Sequence, residues 1–130
     1  MTKEDLPKTL QPYWDHEFSS GGTTGQDYKQ FQAKYRNWLR KELSGYSVTL
    51  LPNHYEFSAV IEKPAAGADP ARYVYLSISD VRAFPRQWAT NILVRTMKHA
   101  KDWTGGYNNY CGITGVRDTV DRLMRDKRPL

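Results

Sequence analysis

The residues with the most chemistry per unit length lie in 98-KHAKDWTGGYNNYCGITG-115, which joins two lysines and a histidine to three aromatics, two asparagines, four glycines and the only cysteine of the chain. Each residue type suggests its own task. Thr104-Gly105-Gly106 can bring backbone N–H groups close to an anion, because glycine accepts conformations and approaches that a side chain forbids. Lys98 and Lys101 add positive charge, Trp103 and Tyr107 add stacking surface, and Asn108 and Asn109 add amide donors and acceptors. That blend suits a single-stranded or grooved nucleic-acid contact. The alternative is a long Gly/Asn turn before the last helix, with Trp103 tucked into the core. Cys111 and His99 are the pair that could serve as nucleophile and base, although a lone cysteine in a loop does not by itself make a catalytic site.

Several chemistries fall away on spacing. No G-x-x-x-x-G-K-[ST] occurs in the chain, so there is no P-loop. His16, His54 and His99 are far apart in sequence, and no Cys/His spacing resembles a zinc site. Glu56, Glu62, Asp80 and Asp102 form no motif that would hold Mg2+. The expectation is no catalytic residue, no metal and no cofactor.

Two further constellations carry alternatives. Asp80-Val81-Arg82 ends a strand and Arg95 would sit on a neighbouring one. Together they could form a structural ion pair that pins a loop, or a guanidinium fork oriented toward phosphate. On a sheet's outward face, Tyr73, Tyr75, His54, Glu56 and Arg95 could stack bases or hold a flat ligand. Cross-strand tyrosine pairs that only stabilise the sheet give the other reading.

The elements that must position these residues can be read from periodicity. Tyr28, Phe31, Tyr35, Trp38, Leu39 and Leu43 recur every three to four residues, which predicts a helix with one apolar face. Asp27 with Gln30 reads as its capping box, and Gly45 as its C′ glycine. Its other face, with Lys29, Lys34, Arg36, Arg40 and Lys41 against Glu42, is either solvated or a contact surface. The segment 46–63 predicts a β-hairpin turning at Pro52-Asn53. In it Tyr55, Phe57, Ala59 and Ile61 face inward, and His54, Glu56, Ser58 and Glu62 outward. A third strand follows at 72–79, with Val74, Leu76 and Ile78 inward. For 84–103 the pattern favours a turn or short helix at 85–90 and a strand at 91–98 over a single helix. Such a strand would put Ile92, Val94 and Thr96 on one face and Leu93, Arg95 and Met97 on the other. A final helix spans about 116–126, with Val116, Val120, Leu123 and Met124 as its stripe and Pro129 beyond its end. The fold class expected is α+β: an antiparallel three- to four-stranded sheet flanked by an N-terminal and a C-terminal helix.

Length and composition agree with this. A chain of 130 residues with 39 % hydrophobic residues suits one domain with a modest core. Residues 1–26 read as a flexible or loosely docked arm, with Pro7 and Pro12 breaking helix, SSGGTTG at 19–25 as a linker, and Tyr13, Trp14 and Phe18 docking on the domain or a partner. Residues 27–130 form the domain. No apolar run approaches the ~20 residues of a membrane-spanning helix, the N-terminus lacks a secretory h-region, and one cysteine fits a reducing compartment. A cytoplasmic protein without membrane attachment is expected. The net charge is +5 and residues 1–26 contribute −2, so the domain carries +7, which favours polyanionic partners.

The strings 73-YVYLSISDVR-82, Trp88 and 91-NILVRTMKHAKDWTGGYNN-109 resemble a family of small proteins of phages, plasmids and other mobile elements, mostly of Gram-positive bacteria. Its members share S-[IV]-S-D-V-R, a tryptophan, N-I-L-[IV]-R-T-x-K and K-D-[YW]-T-G-G-x-N. The likeness spans roughly residues 45–110 and departs from the pattern at Met97, where a small residue is expected. It implies a mobile-element setting, in which small proteins regulate transfer, bind nucleic acid or block host defence such as CRISPR nucleases. The functional expectation is a non-enzymatic accessory protein binding nucleic acid or a nucleoprotein complex. Its surface would be built from Arg36, Arg40, Tyr73, Tyr75, Arg82, Arg95, Lys98, Lys101, Trp103, Tyr107, Asn108 and Asn109. The alternatives are a protein–protein inhibitor of a host defence complex, of anti-CRISPR type, and a small nucleic-acid-processing enzyme.

Overall fold

The computed structural model describes residues 1–19, 24–51 and 55–126. Five antiparallel strands run in sequence order across one sheet: β1 (Ser47–Leu51), β2 (Phe57–Lys63), β3 (Arg72–Ile78), β4 (Ile92–Met97) and β5 (Asn108–Cys111). Helix α1 (Gln26–Glu42) precedes them, the short α2 (Gln87–Thr90) links β3 to β4, and α3 (Val116–Met124) closes the chain. The class is α+β as expected, with β5 as an additional strand. Asn-Asn-Tyr-Cys has little strand character by itself, because asparagine is depleted in strands; pairing of Ile92–Arg95 with Asn108–Cys111 makes it one. Residues 85–98 resolve into α2 followed by β4, as the β-branched run requires. The hairpin turn expected at Pro52-Asn53, together with His54 and Pro129, lies outside the described residues.

Strand pleating sends alternate side chains to opposite faces. The inner face carries Phe57, Ala59 and Ile61 of β2, Val74, Leu76 and Ile78 of β3, and Ile92 and Val94 of β4, all buried. Against it pack Tyr28, Phe31, Tyr35 and Leu39 of α1 and Val116, Val120, Leu123 and Met124 of α3, also buried. Aromatic edges hold the layer together: Tyr35 meets Phe57 at 4.9 Å and Phe31 meets Trp88 at 5.3 Å, in the tilted or edge-on arrangements that ring quadrupoles favour. The Tyr35 hydroxyl donates to the Trp88 carbonyl at 2.9 Å, so the buried phenol is satisfied. Leu6, Leu10, Tyr13 and Phe18 belong to the same core, with Tyr13 and Phe18 stacked at 5.9 Å.

Three local expectations need correction. The α1 N-cap is Gly25 and no side chain caps the helix. The Asp27 carboxylate instead accepts from His16 Nε2 and the Ser19 amide, each at 2.8 Å, so it ties the preceding segment to the helix. At the other end Gly45 takes φ 96°, but Leu43 is the C-cap, which places that glycine one residue later than expected. Finally, the outward face of β2 is not polar and open. Ser58 and Val60 are buried, because Tyr75 of β3 lies opposite Val60 and donates its hydroxyl to Ser58 Oγ at 3.0 Å.

Candidate functional site

The outer face of the sheet is a register of cross-strand rows. One row reads Thr49, Val60, Tyr75, Arg95, Asn108; the next reads Leu51, Ser58, Ser77, Leu93, Tyr110. The connection between β4 and β5, residues 98–107, turns back over the first row. Between loop and sheet lies a cleft of about 470 Å3, lined by Tyr75, Leu93, Arg95, Trp103, Gly105 and Asn108 among others.

Arg95 forms its floor. Only 9 % exposed, it sits 5.2 Å from the Tyr75 ring centroid and donates from Nη1 to the Gly105 carbonyl and from Nη2 to the Asp102 carbonyl, the latter at 3.1 Å. Both partners are neutral carbonyls, and the Arg95 charge also acts on the nearby Asp102 carboxylate. Two of its five N–H donors are accounted for by these bonds. Trp103 forms one wall, edge-on to Tyr75 at 6.1 Å, and is 50 % exposed. It is therefore not tucked into the core. Tyr110, 61 % exposed, stands opposite Leu93 on the same face. Sequence reasoning missed it, because its outward direction is legible only once 108–111 is known to be a strand.

The glycine loop is not an open anion cradle. The Asp102 carboxylate accepts from the Lys98 amide at 3.0 Å and the Gly105 amide at 3.1 Å. The Lys98 amide, helped by those of Gly105 and Thr104 and by the charge of Arg95, holds the Asp102 carboxyl below the usual carboxylate range against the opposing effect of its burial. The N–H groups that could have held an external phosphate thus hold an internal carboxylate. Gly106 is required for a different reason. Its φ is 92°, and a Cβ there would lie 1.8 Å from the Thr96 carbonyl oxygen. The close approach seats the loop on β4, where the Tyr107 amide donates to Thr96 Oγ1 at 2.7 Å.

The other expected residues separate. Asn108 faces the cleft opposite Arg95, whereas Asn109 lies opposite Val94 on the inner face and accepts from Arg122 of α3 at 3.3 Å. Tyr107 is 39 % exposed, and Lys98 and Lys101 are exposed on the loop. Tyr73 occupies the adjoining row between Glu62 and Met97, where the nearby Glu62 carboxylate pushes its phenol up. Glu56 precedes β2 and accepts the Tyr28 hydroxyl on its carbonyl at 2.5 Å. Arg82 pairs in bidentate fashion with Asp80, at 2.7 and 3.1 Å, and lies 3.7 Å from the Tyr55 ring centroid. Arg95 makes its bonds with the 98–107 loop instead, so the three do not form one fork. Arg36 and Arg40 are on α1, which covers the inner face, and so lie across the sheet from Trp103. On this topology they lie on the opposite side of the sheet from the cleft residues of 95–109.

Chemistry at Cys111 has no support in this arrangement. Burial pushes its thiol up, and it lies opposite Ile92 at one end of β4. His99 follows Met97 at the other end, five strand residues or about 17 Å away, and its Nδ1 accepts from the Lys101 amide. Among the described residues no three of His, Cys, Asp and Glu come together to hold a metal ion, and no helix is long and apolar enough to cross a membrane. The chain matches no family model, no curated protein and no solved structure.

Proposed function

We propose that this protein is a non-enzymatic accessory protein that binds single-stranded nucleic acid, free or within a nucleoprotein complex, across the outer face of its sheet. The observation that carries this reading is a buried guanidinium whose hydrogen bonds, among the described residues, go to backbone carbonyls, in a cleft walled by the half-exposed Trp103, with the exposed Tyr110 in the adjoining row of the same face. Bases stack on Trp103 and Tyr110, while Arg95, Lys98 and Lys101 meet the backbone phosphates. This is the combination by which sequence-tolerant single-strand binders work. The likeness of residues 45–110 to the mobile-element family supplies the setting, a phage, plasmid or similar element.

The test is a titration with a fifteen-residue oligothymidylate, followed by tryptophan fluorescence. Binding should weaken with salt at a log–log slope of about −2, as three cations facing single-strand phosphates imply. Trp103→Ala or Tyr110→Ala should each weaken binding by roughly 5- to 150-fold, from about 1–3 kcal/mol per stacked base. Both side chains are exposed, so folding should be unchanged. No binding at low salt, or binding indifferent to both substitutions, overturns the proposal.

A further inference from the structure

A second recess lies on the far side of the molecule. Pro7 and Lys8 form one wall, and Lys34, Trp38, Lys41 and Glu42 of α1 the other, enclosing about 650 Å3. At 100° per residue, Lys34, Trp38 and Lys41 share one stripe of the helix, distinct from both its buried stripe and the side bearing Arg36 and Arg40. The outer wall is fixed in place. Leu6 and Leu10 on either side of it are buried in the core, the Leu10 amide donates to the Pro7 carbonyl at 2.9 Å, and Gln11 Nε2 donates to the Leu6 carbonyl at 3.2 Å. The recess is therefore preformed, as small binding sites generally are.

We infer that this recess docks a short acidic segment of a partner protein, with one aliphatic or aromatic side chain seated on Trp38 and carboxylates reaching the lysines. Three cations against one acid set the charge of the occupant. The floor sets its apolar part, because proline, indole and the methylene stems of lysine are apolar while the ammonium groups stay in water. A nucleic acid fits less well. Trp38 is half-buried and packed against Tyr35 at 5.1 Å, and among the described residues no second aromatic lines the recess to sandwich a base. Lysine ammonium groups on flexible stems pair readily with single carboxylates. Across the sheet from the Trp103 cleft, this site would let the protein hold a protein and a nucleic acid at once.

Selection from a random dodecapeptide display library against the intact protein tests this inference. The expected result is enrichment of peptides with two or more acids flanking an aliphatic or aromatic residue. Their binding should fall at least about tenfold in the Lys34→Glu/Lys41→Glu double variant and stay unchanged in Trp103→Ala. Both lysines are exposed and Lys34 gives up only a cation–ring contact with Tyr13, 5.5 Å to the centroid, so the double variant should keep the wild-type circular dichroism with at most a slightly lower melting midpoint. Failure to enrich acidic peptides, or acidic binders indifferent to the lysine changes, overturns the inference. So does oligothymidylate binding lost in the lysine variant as fully as in Trp103→Ala, because the recess would then belong to the nucleic-acid path. Oligothymidylate binding that survives the lysine changes separates this inference from the proposed function.

Discussion

Arg95 and Asp102 carry opposite charges on adjoining segments, yet each directs its hydrogen bonds to the backbone: the guanidinium to two carbonyls, the carboxylate to two amides. Charge-assisted bonds of this kind are roughly twice as strong as neutral ones, and together they shape the loop. Asp102→Asn keeps the size of the side chain and removes its charge. Amide hydrogen exchange at Lys98 and Gly105 should then accelerate by about tenfold or more, since local opening sets exchange in a loop. Unchanged exchange would mean that the loop is held by Gly106 and Arg95 alone.

At the scale of elements, the contact between the 98–107 loop and β4 shapes the cleft on the outer face of the sheet. Gly106 sits within bonding reach of Thr96 only because it has no side chain. Gly106→Ala combines a positive φ with a clash against a backbone carbonyl, which should cost about 2–4 kcal/mol. Chemical denaturation should report that loss, and tryptophan fluorescence should report Trp103 leaving Tyr75. A variant as stable as the wild type would show that the loop is not seated as described. The loop glycines were legible in the sequence and their task was not. A Thr-Gly-Gly string reads equally as an anion cradle or a tight packing contact, and the choice depends on Asp102 and Thr96, whose positions come from the fold.

The whole molecule is held by carboxylates that should make it acid-sensitive. Burial raises the Asp27 carboxyl, but hydrogen bonds from His16, Ser19 and the Tyr28 amide outweigh it and hold the group at about 2. Asp80, held down first by Arg82, and Asp121, held down first by the Tyr46 hydroxyl, are shifted the same way, as is Asp102. Each has a lower pKa folded than unfolded, so each stabilises the fold when ionised. That contribution is complete above the unfolded value and is lost as pH falls through the folded one. The melting midpoint should therefore hold steady above about pH 5 and drop between about pH 4 and 2. Asp27→Asn should flatten part of that drop and loosen the segment from His16 to Ser19, visible as changed ring-current shifts at Phe18. A midpoint that rises on acidification would contradict the assignment.

Periodicity determined the two helical stripes and the inward sets of β2 to β4, because those signals repeat within a few residues and need no partner, and composition determined the basic character of the domain. The additional strand was illegible, since Asn-Asn-Tyr-Cys becomes a strand only by pairing with β4 across the loop. The same pairing sends Tyr110 outward and parts Asn108 from Asn109. Tertiary structure also separated Arg36 and Arg40 from Trp103, because a helix laid on one face of a sheet cannot share a surface with a loop laid on the other. It assigned the anion of the glycine loop to Asp102 within the chain. It also built a second recess from Pro7 and Trp38, residues thirty-one positions apart that only the docking of the N-terminal segment on α1 brings together.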